Sequence, residues 1–208
     1  EYTITDAIVT GSLDERRLKG LMTEHETGVH LLSTPEDPVE AEKISPGLLL
    51  EVFSLLKSMY DVIVVDAGHF FDSRVLEVLS LADTILVMAS LDVPTVRNVR
   101  SCLTLFDQLG YTQEKVKIVV NRHQKKSKVT AEDLEETAET KIFWSIPNDY
   151  KPLIASIDSG VPAIIQSAKS KVSRAIEDLS HELLQMYGED EAEDDAEETE
   201  PKPQTASR

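Results

Sequence analysis

The stretch "YDVIVVDAGHFFD", residues 60–72, decides how this chain folds. Four apolar residues, 62–65, are closed by one acid, Asp66, and then come Gly68 and an aromatic pair, Phe70 and Phe71. A short, β-branched run bounded by turn residues reads as a buried strand. This one ends in a carboxylate with no basic residue close by in sequence. A buried, unpaired carboxylate is costly unless a cation or donors stabilise it. The stretch therefore raises a question of chemistry along with one of fold.

Similar runs recur on the C-terminal side, at 84–89 (TILVMA), 116–120 (VKIVV) and 142–146 (IFWSI), with a further plausible strand at 28–34 (GVHLLST). Helical patterns separate them. Ser45-Pro46 reads as an N-cap followed by proline in the first turn, opening an apolar helix face that reaches Tyr60. Residues 74–81 form a short helix. Residues 93–109 form another, closed by Gly110. Thr130 with Asp133 resembles a capping box, residues 149–158 make a short helix closed by Ser159-Gly160, and 169–187 make a long final one. Strand runs at 62–65, 84–89 and 116–120 are apolar on both faces, as a helix-covered parallel sheet requires. The expected fold is α/β, with a mostly parallel sheet flanked by helices.

A chain of 208 residues suffices for one ordinary domain. No apolar run reaches the length of a membrane span, and no signal peptide is visible. Cys102 is the sole cysteine, which excludes an intrachain disulfide and fits a reducing compartment. Charge is uneven. Residues 188–208 hold nine acids and two bases, a net −7 of the chain's −17, so the body carries −10. That composition reads as a disordered acidic tail behind a domain at 1–187. An acidic body also opposes sequence-independent DNA binding, which needs a cationic surface. The first residue is Glu1, so the chain reads as a fragment or a processed product, N-terminally incomplete.

In open α/β sheets the ligand sits beyond the carboxyl ends of the strands. Four such ends supply Asp66 with Gly68, Ser90 with Asp92, Asn121 with Arg122, and Pro147 with Asn148 and Asp149. Asp66 suits a magnesium ion or its bound water; equally, it could accept backbone amides of the following turn. Gly68 reads as a turn residue needing positive φ. Asn121 could offer donor and acceptor to a purine edge, or end its strand in an Asx-turn. Pro147, Asn148 and Asp149 also read as a plain helix start. His69 reads as an exposed loop histidine, Cys102 as core, Trp144 as strand packing, and Lys125, Lys126 and Lys128 as a solvated basic loop.

With these residues in place the pattern resembles the MinD/ParA group of deviant-Walker ATPases, most closely its pilus-assembly branch, CpaE/TadZ. "YDVIVVDAGHFF" looks like the Walker B strand and switch II. "ADTILVMASLDVPTVRNVRSCLTLFDQLG" looks like the next strand and helix, with its turn at Asp92, Arg97 and Asn98. "KIVVNR" and "IPNDYKPLIASIDSGVPAI" look like the adenine-side loops and the ending at Gly160 and Pro162. The matching blocks span residues 60–165, and "ITDAI" and "HETGVHLLSTP" look like the segment after switch I.

The resemblance implies a P-loop NTPase-like fold and the cofactors ATP and Mg2+. Asp66 would hold the metal through water, and Gly68 and His69 would lie in a γ-phosphate switch. Asn121, with Arg122, would read adenine, and Pro147 and Asn148 would line the base pocket. It further implies an ATP-dependent homodimer serving pilus-assembly or secretion proteins. The location would be cytoplasmic, polar or at the inner face of the membrane through partners, with no specific nucleic acid. Two departures stand out. Gly68 occupies the usual place of a proline. No G-x-x-x-x-G-K-[ST] phosphate loop, nor its lysine-bearing deviant form, occurs in the sequence, so efficient ATP hydrolysis by this chain is not expected. Two rival readings remain: a scaffold that keeps an ATPase-like fold for protein contacts alone, and a response-regulator receiver with Asp66 as phosphoacceptor and Ser90 as switch hydroxyl. The apolar stripe Val172, Ile176, Leu179, Leu183 and Met186 suits packing on the domain better than a membrane.

Overall fold

The computed structural model describes residues 2–10, 13–124 and 127–198. The chain divides into two compact units, Glu1–Asp83 and Thr84–Arg208.

The first unit is mostly helical. A 3-10 helix at Ile4–Thr10 leads into α1 (Glu15–Leu21). A two-residue antiparallel pair follows, β1 (Thr23–Glu24) with β2 (His30–Leu31). Then come α2 (Pro38–Ala41), α3 (Pro46–Met59) and α4 (Ser73–Leu81). Each longer helix starts where a side chain can take an orphan amide. The Ser45 hydroxyl accepts from the Leu48 amide at 3.2 Å, with Pro46 just inside the helix. Asp72 accepts from the Arg74 and Val75 amides at 3.0 and 2.9 Å. The apolar faces of α1 and α3 close over Ile4, Leu18, Ile44, Leu49, Val52 and Leu56.

Two strand expectations fail in this unit. The strand at 28–34 shrinks to β2. Gly28, at φ 84°, donates to the His25 carbonyl and reverses the chain, and the Ser33 carbonyl is then taken by the Ile4 amide at 2.9 Å instead of a ladder. Residues 61–66 join no sheet. Ile63 rests against the core, but Val62 and Val64 are 59% and 90% exposed. A strand exists only through partners, and the one sheet described in this unit pairs β1 with β2 alone. The premise that Asp66 ends a buried strand is thereby corrected, since Asp66 is exposed.

The second unit realises the α/β expectation. Strands β3 (Ile85–Ala89), β4 (Val116–His123) and β5 (Ile142–Pro147) form a parallel sheet in that order. Helices α5 (Val93–Gln108) and α6 (Ala131–Ala138) make the crossovers. They are followed by α7 (Tyr150–Ser159), α8 (Ala163–Gln166) and α9 (Lys171–Glu198).

Burial explains why β4 is central. Alternate side chains of a strand face opposite sides. Ile118 and Val120 enter a cluster with Ala89, Val96, Val99 and Leu134, while Val119 enters another with Ile146, Val172 and Leu179. All three are at most 1% exposed. The apolar stripe of the last helix therefore packs on the sheet through Val172, Leu179 and Leu183. Trp144 packs there too, and its indole donates to the Ala175 carbonyl at 2.9 Å. Three helix ends foreseen in this unit are present. Thr130 and Asp133 form a capping box, Gly110, at φ 78°, donates to the Asp107 carbonyl, and Gly160, at φ 67°, donates to the Ile157 carbonyl. The acidic segment begins inside α9, and its residues beyond Glu198 lie outside the described residues, as do Lys125 and Lys126.

Candidate functional site

The expected site residues fall into the two units, and each set is described within its own. In the first unit, Asp66 and Gly68 share a turn. Gly68 has φ 70°, a left-handed conformation that favours glycine, and its amide donates to Asp66 Oδ1 at 3.3 Å. The Asx-turn reading of Asp66 is therefore the contact present. After it the His69 and Phe70 rings lie with centroids 4.0 Å apart, tilted by 39°, and Phe70 is 73% exposed.

In the second unit the polar residues gather at the carboxyl end of β4 and β5. Asn121 and Arg122 lie inside β4, immediately before its last residue, His123. The ladder to β5 is irregular there. Val120 pairs with Ser145, the next partners are His123 and Pro147, and the residues between them bulge. Arg122 sits at φ 53°, a left-handed conformation costing a non-glycine residue about 1 kcal/mol or more. Its amide donates to Asn121 Oδ1 at 2.8 Å, which supports that turn. The Asn148 amide donates to the His123 carbonyl at 3.0 Å. Asn121, Arg122, Pro147 and Asn148 thus meet at one edge. Sequence reading missed the bulge and the part of His123, because no glycine or proline marks the position.

Two neighbouring acids at this edge are committed to structure. Asp92 caps α5, taking the Thr95 amide at 2.9 Å and its hydroxyl at 3.0 Å. Asp149 stands at the N-cap position of α7 without capping it, and accepts the Lys171 amide at 3.1 Å instead. A hollow of about 420 Å3 in this unit lies at the opposite, amino end of β4 and β5, beside Lys117 and Phe143, and contains no candidate residue. Cys102 is half-buried, and burial pushes its thiol up to about 11, so it is a poor nucleophile at neutral pH.

Magnesium and a nucleotide can be tested against these groups. Among the described residues no cluster of three or more His, Cys, Asp or Glu could cage a metal. Magnesium does not need one, because it keeps several waters and takes one or two carboxylates together with substrate phosphates. Asp66 suits that mode, being exposed and having Oδ1 engaged only by the Gly68 amide. The β4–β5 edge suits a base. The sequence contains no phosphate loop of the G-x-x-x-x-G-K-[ST] form. Among the described residues no helix is long and apolar enough to cross a membrane.

No family model matches the chain. Its sequence is 22% identical over 188 residues to the septum site-determining protein MinD of Thermotoga maritima, covering 88% of this chain and 67% of that protein. In fold it is similar to a ParA family ATPase from Chlorobium tepidum TLS, with a TM-score of 0.80 at 22% identity over 86% of this chain and 75% of that one. It is also similar to MinD of Pyrococcus horikoshii OT3, solved with Mg-ADP, with a TM-score of 0.74 at 17% identity over 90% of this chain and 75% of that one. By sequence and by architecture, then, the chain resembles the MinD/ParA-type ATPases and has their α/β fold.

Proposed function

We propose that this chain binds an adenine nucleotide with magnesium as a MinD/ParA-like ATPase subunit that positions or assembles a pilus or secretion system. Asp66 holds the metal through water, with Gly68 in the switch that follows it. Asn121 and Arg122 address the base, and Pro147 and Asn148 line its pocket. Residues 1–187 are the ATPase domain and 188–208 an acidic tail. The working form is an ATP-dependent homodimer in the cytoplasm, brought to a pole or to the membrane by its partners. The observation that carries the reading is the bulged end of β4, where Asn121 and Asn148 converge at a strand edge of the kind that binds ligands in such sheets. The likeness to a MinD solved with Mg-ADP supports the choice of ligand. A fluorescent ATP analogue titrated with magnesium tests it. Saturable binding that Asn121→Ala weakens at least tenfold is expected, with slow or no turnover because no phosphate loop is present. A folded chain that binds no nucleotide at millimolar concentration sinks the proposal. The missing loop specifically favours one second reading, a scaffold that uses the fold for protein contacts alone, and that same null result is what the scaffold predicts.

A further inference from the structure

The second unit turns one apolar helix face outward. On α7, Tyr150, Ile154 and Ile157 follow each other at spacings of four and three, which sets them on one stripe. Tyr150 and Ile157 are 68% and 73% exposed, whereas Leu153 packs in the cluster of Val119 and Val172 beneath the sheet. Ile164 and Ile165 of α8 are exposed as well. Three bonds hold this region together. The Ser156 hydroxyl donates to the Val161 carbonyl at 2.6 Å, the Ser173 hydroxyl to the Ala163 carbonyl at 3.0 Å, and the Lys171 amide to Asp149 at 3.1 Å. Single exposed apolar residues are ordinary, but a helical stripe of them is the form in which one helix meets another.

The charge around the stripe bears on what covers it. The chain carries −17, yet residues 150–174 hold Lys151, Lys169, Lys171 and Arg174 against Asp158 alone, a net +3. All four cations are exposed, and among the described residues none of their side chains has an ion pair. The Lys171–Asp149 bond places the start of α9, with Lys171 and Arg174, beside the start of α7, with Tyr150 and Lys151. A second copy in a two-fold contact would set this patch against itself, four cations facing four. An anionic bilayer would repel the rest of the chain, which carries −17 less +3, or −20. The stripe is also only about 10 Å long, the width of one helix. We infer that the α7 stripe and the basic starts of α7 and α9 form a docking surface for an acidic amphipathic helix of a partner protein. Nucleotide binding is not required for this and is absent from the test.

The test titrates the full chain into a fluorescein-labelled acidic peptide, EELLEELLEELLEE, at about 0.15 M salt, read by anisotropy. Saturable binding is expected, against the net charge of the chain. A neutral peptide with the same leucine spacing, QQLLQQLLQQLLQQ, should bind at least tenfold more weakly. So should ELELELELELELEE, which keeps the acids and the composition but disperses the stripe. Ile157→Ser and Lys171→Glu should each weaken binding of the acidic peptide at least tenfold, with Tyr150→Ser read in place of either chain that fails to fold by circular dichroism. Absence of saturable binding would overturn the inference. Equal binding of the three peptides, or binding unaffected by the variants, would overturn it as well. A dimer in sedimentation velocity that Ile157→Ser abolishes would overturn it in favour of a second copy. Sedimentation with phosphatidylglycerol vesicles that Ile157→Ser abolishes would overturn it in favour of a membrane.

Discussion

Two segments of this chain are nearly the same five residues. Residues 62–66 read VIVVD and residues 117–121 read KIVVN. In the second unit, Ile118, Val119 and Val120 lie between β3 and β5, with helices on both faces, and are buried. In the first unit, Val64 is 90% exposed and its neighbours pair with nothing. Both segments share the β-branched core Ile-Val-Val, and the exposed one, with Val62 where the buried one has Lys117, is the more apolar, so hydrophobicity and β-branching do not account for the difference. Edges do, since a central strand needs a partner on each side and a helix on each face. The contrast also divides the candidate site. Asn121 is held by a ladder and a bulge, and Asp66 by one bond within its own turn.

The sharpest way to break this comparison is to place the same charge in both segments. Val119→Asp should cost more than about 4 kcal/mol, because it buries an unpaired carboxylate, and should abolish the unfolding transition reported by Trp144 fluorescence. Val64→Asp should change thermal stability by no more than about 0.5 kcal/mol. Comparable losses from the two would mean that residues 62–65 are packed in solution. A smaller effect is expected from Trp144→Phe, which removes the indole donor to the Ala175 carbonyl and should cost about 0.5–1.5 kcal/mol by denaturant unfolding. Thr130→Ala removes one half of a capping box in the second unit and should cost about 1 kcal/mol.

The smallest effect is one of pH in the first unit. Asp72 is held below the ordinary carboxylate value, first by the Val75 amide and then by the Arg74 guanidinium. A lowered folded-state value means stability that is present above the unfolded value and lost as pH falls through the folded one. Protection of the α4 amides from exchange should therefore fall below about pH 4, and Asp72→Asn should flatten that dependence. The hydroxyl of the Thr130 cap does not titrate there, so α6 serves as the comparison. The absence of any acid effect on α4 would show that its cap does not depend on charge.

Local chemistry was readable from the sequence. Ser45-Pro46, Thr130 with Asp133, Gly110 and Gly160 mark helix ends through donors, acceptors and permitted φ angles within a few residues, and each appears as expected. The parallel direction of β3, β4 and β5 was also legible, because strand-like runs alternate there with helices of crossover length. Asp66 is where that reading went too far, since burial was inferred from an apolar run alone and the run has no partners. The left-handed Arg122 was invisible for the opposite reason, as an arginine adopts that conformation only when its surroundings impose it. By itself the sequence determined where α3, α4, α5, α6 and α7 begin and which segments are strand-like, while α1, α2 and α8 carried no signal that was read. Only the tertiary structure decided that 117–120 is a buried strand and 62–65 an open one, because pairing and burial belong to contacts between distant segments and the same residues serve either state.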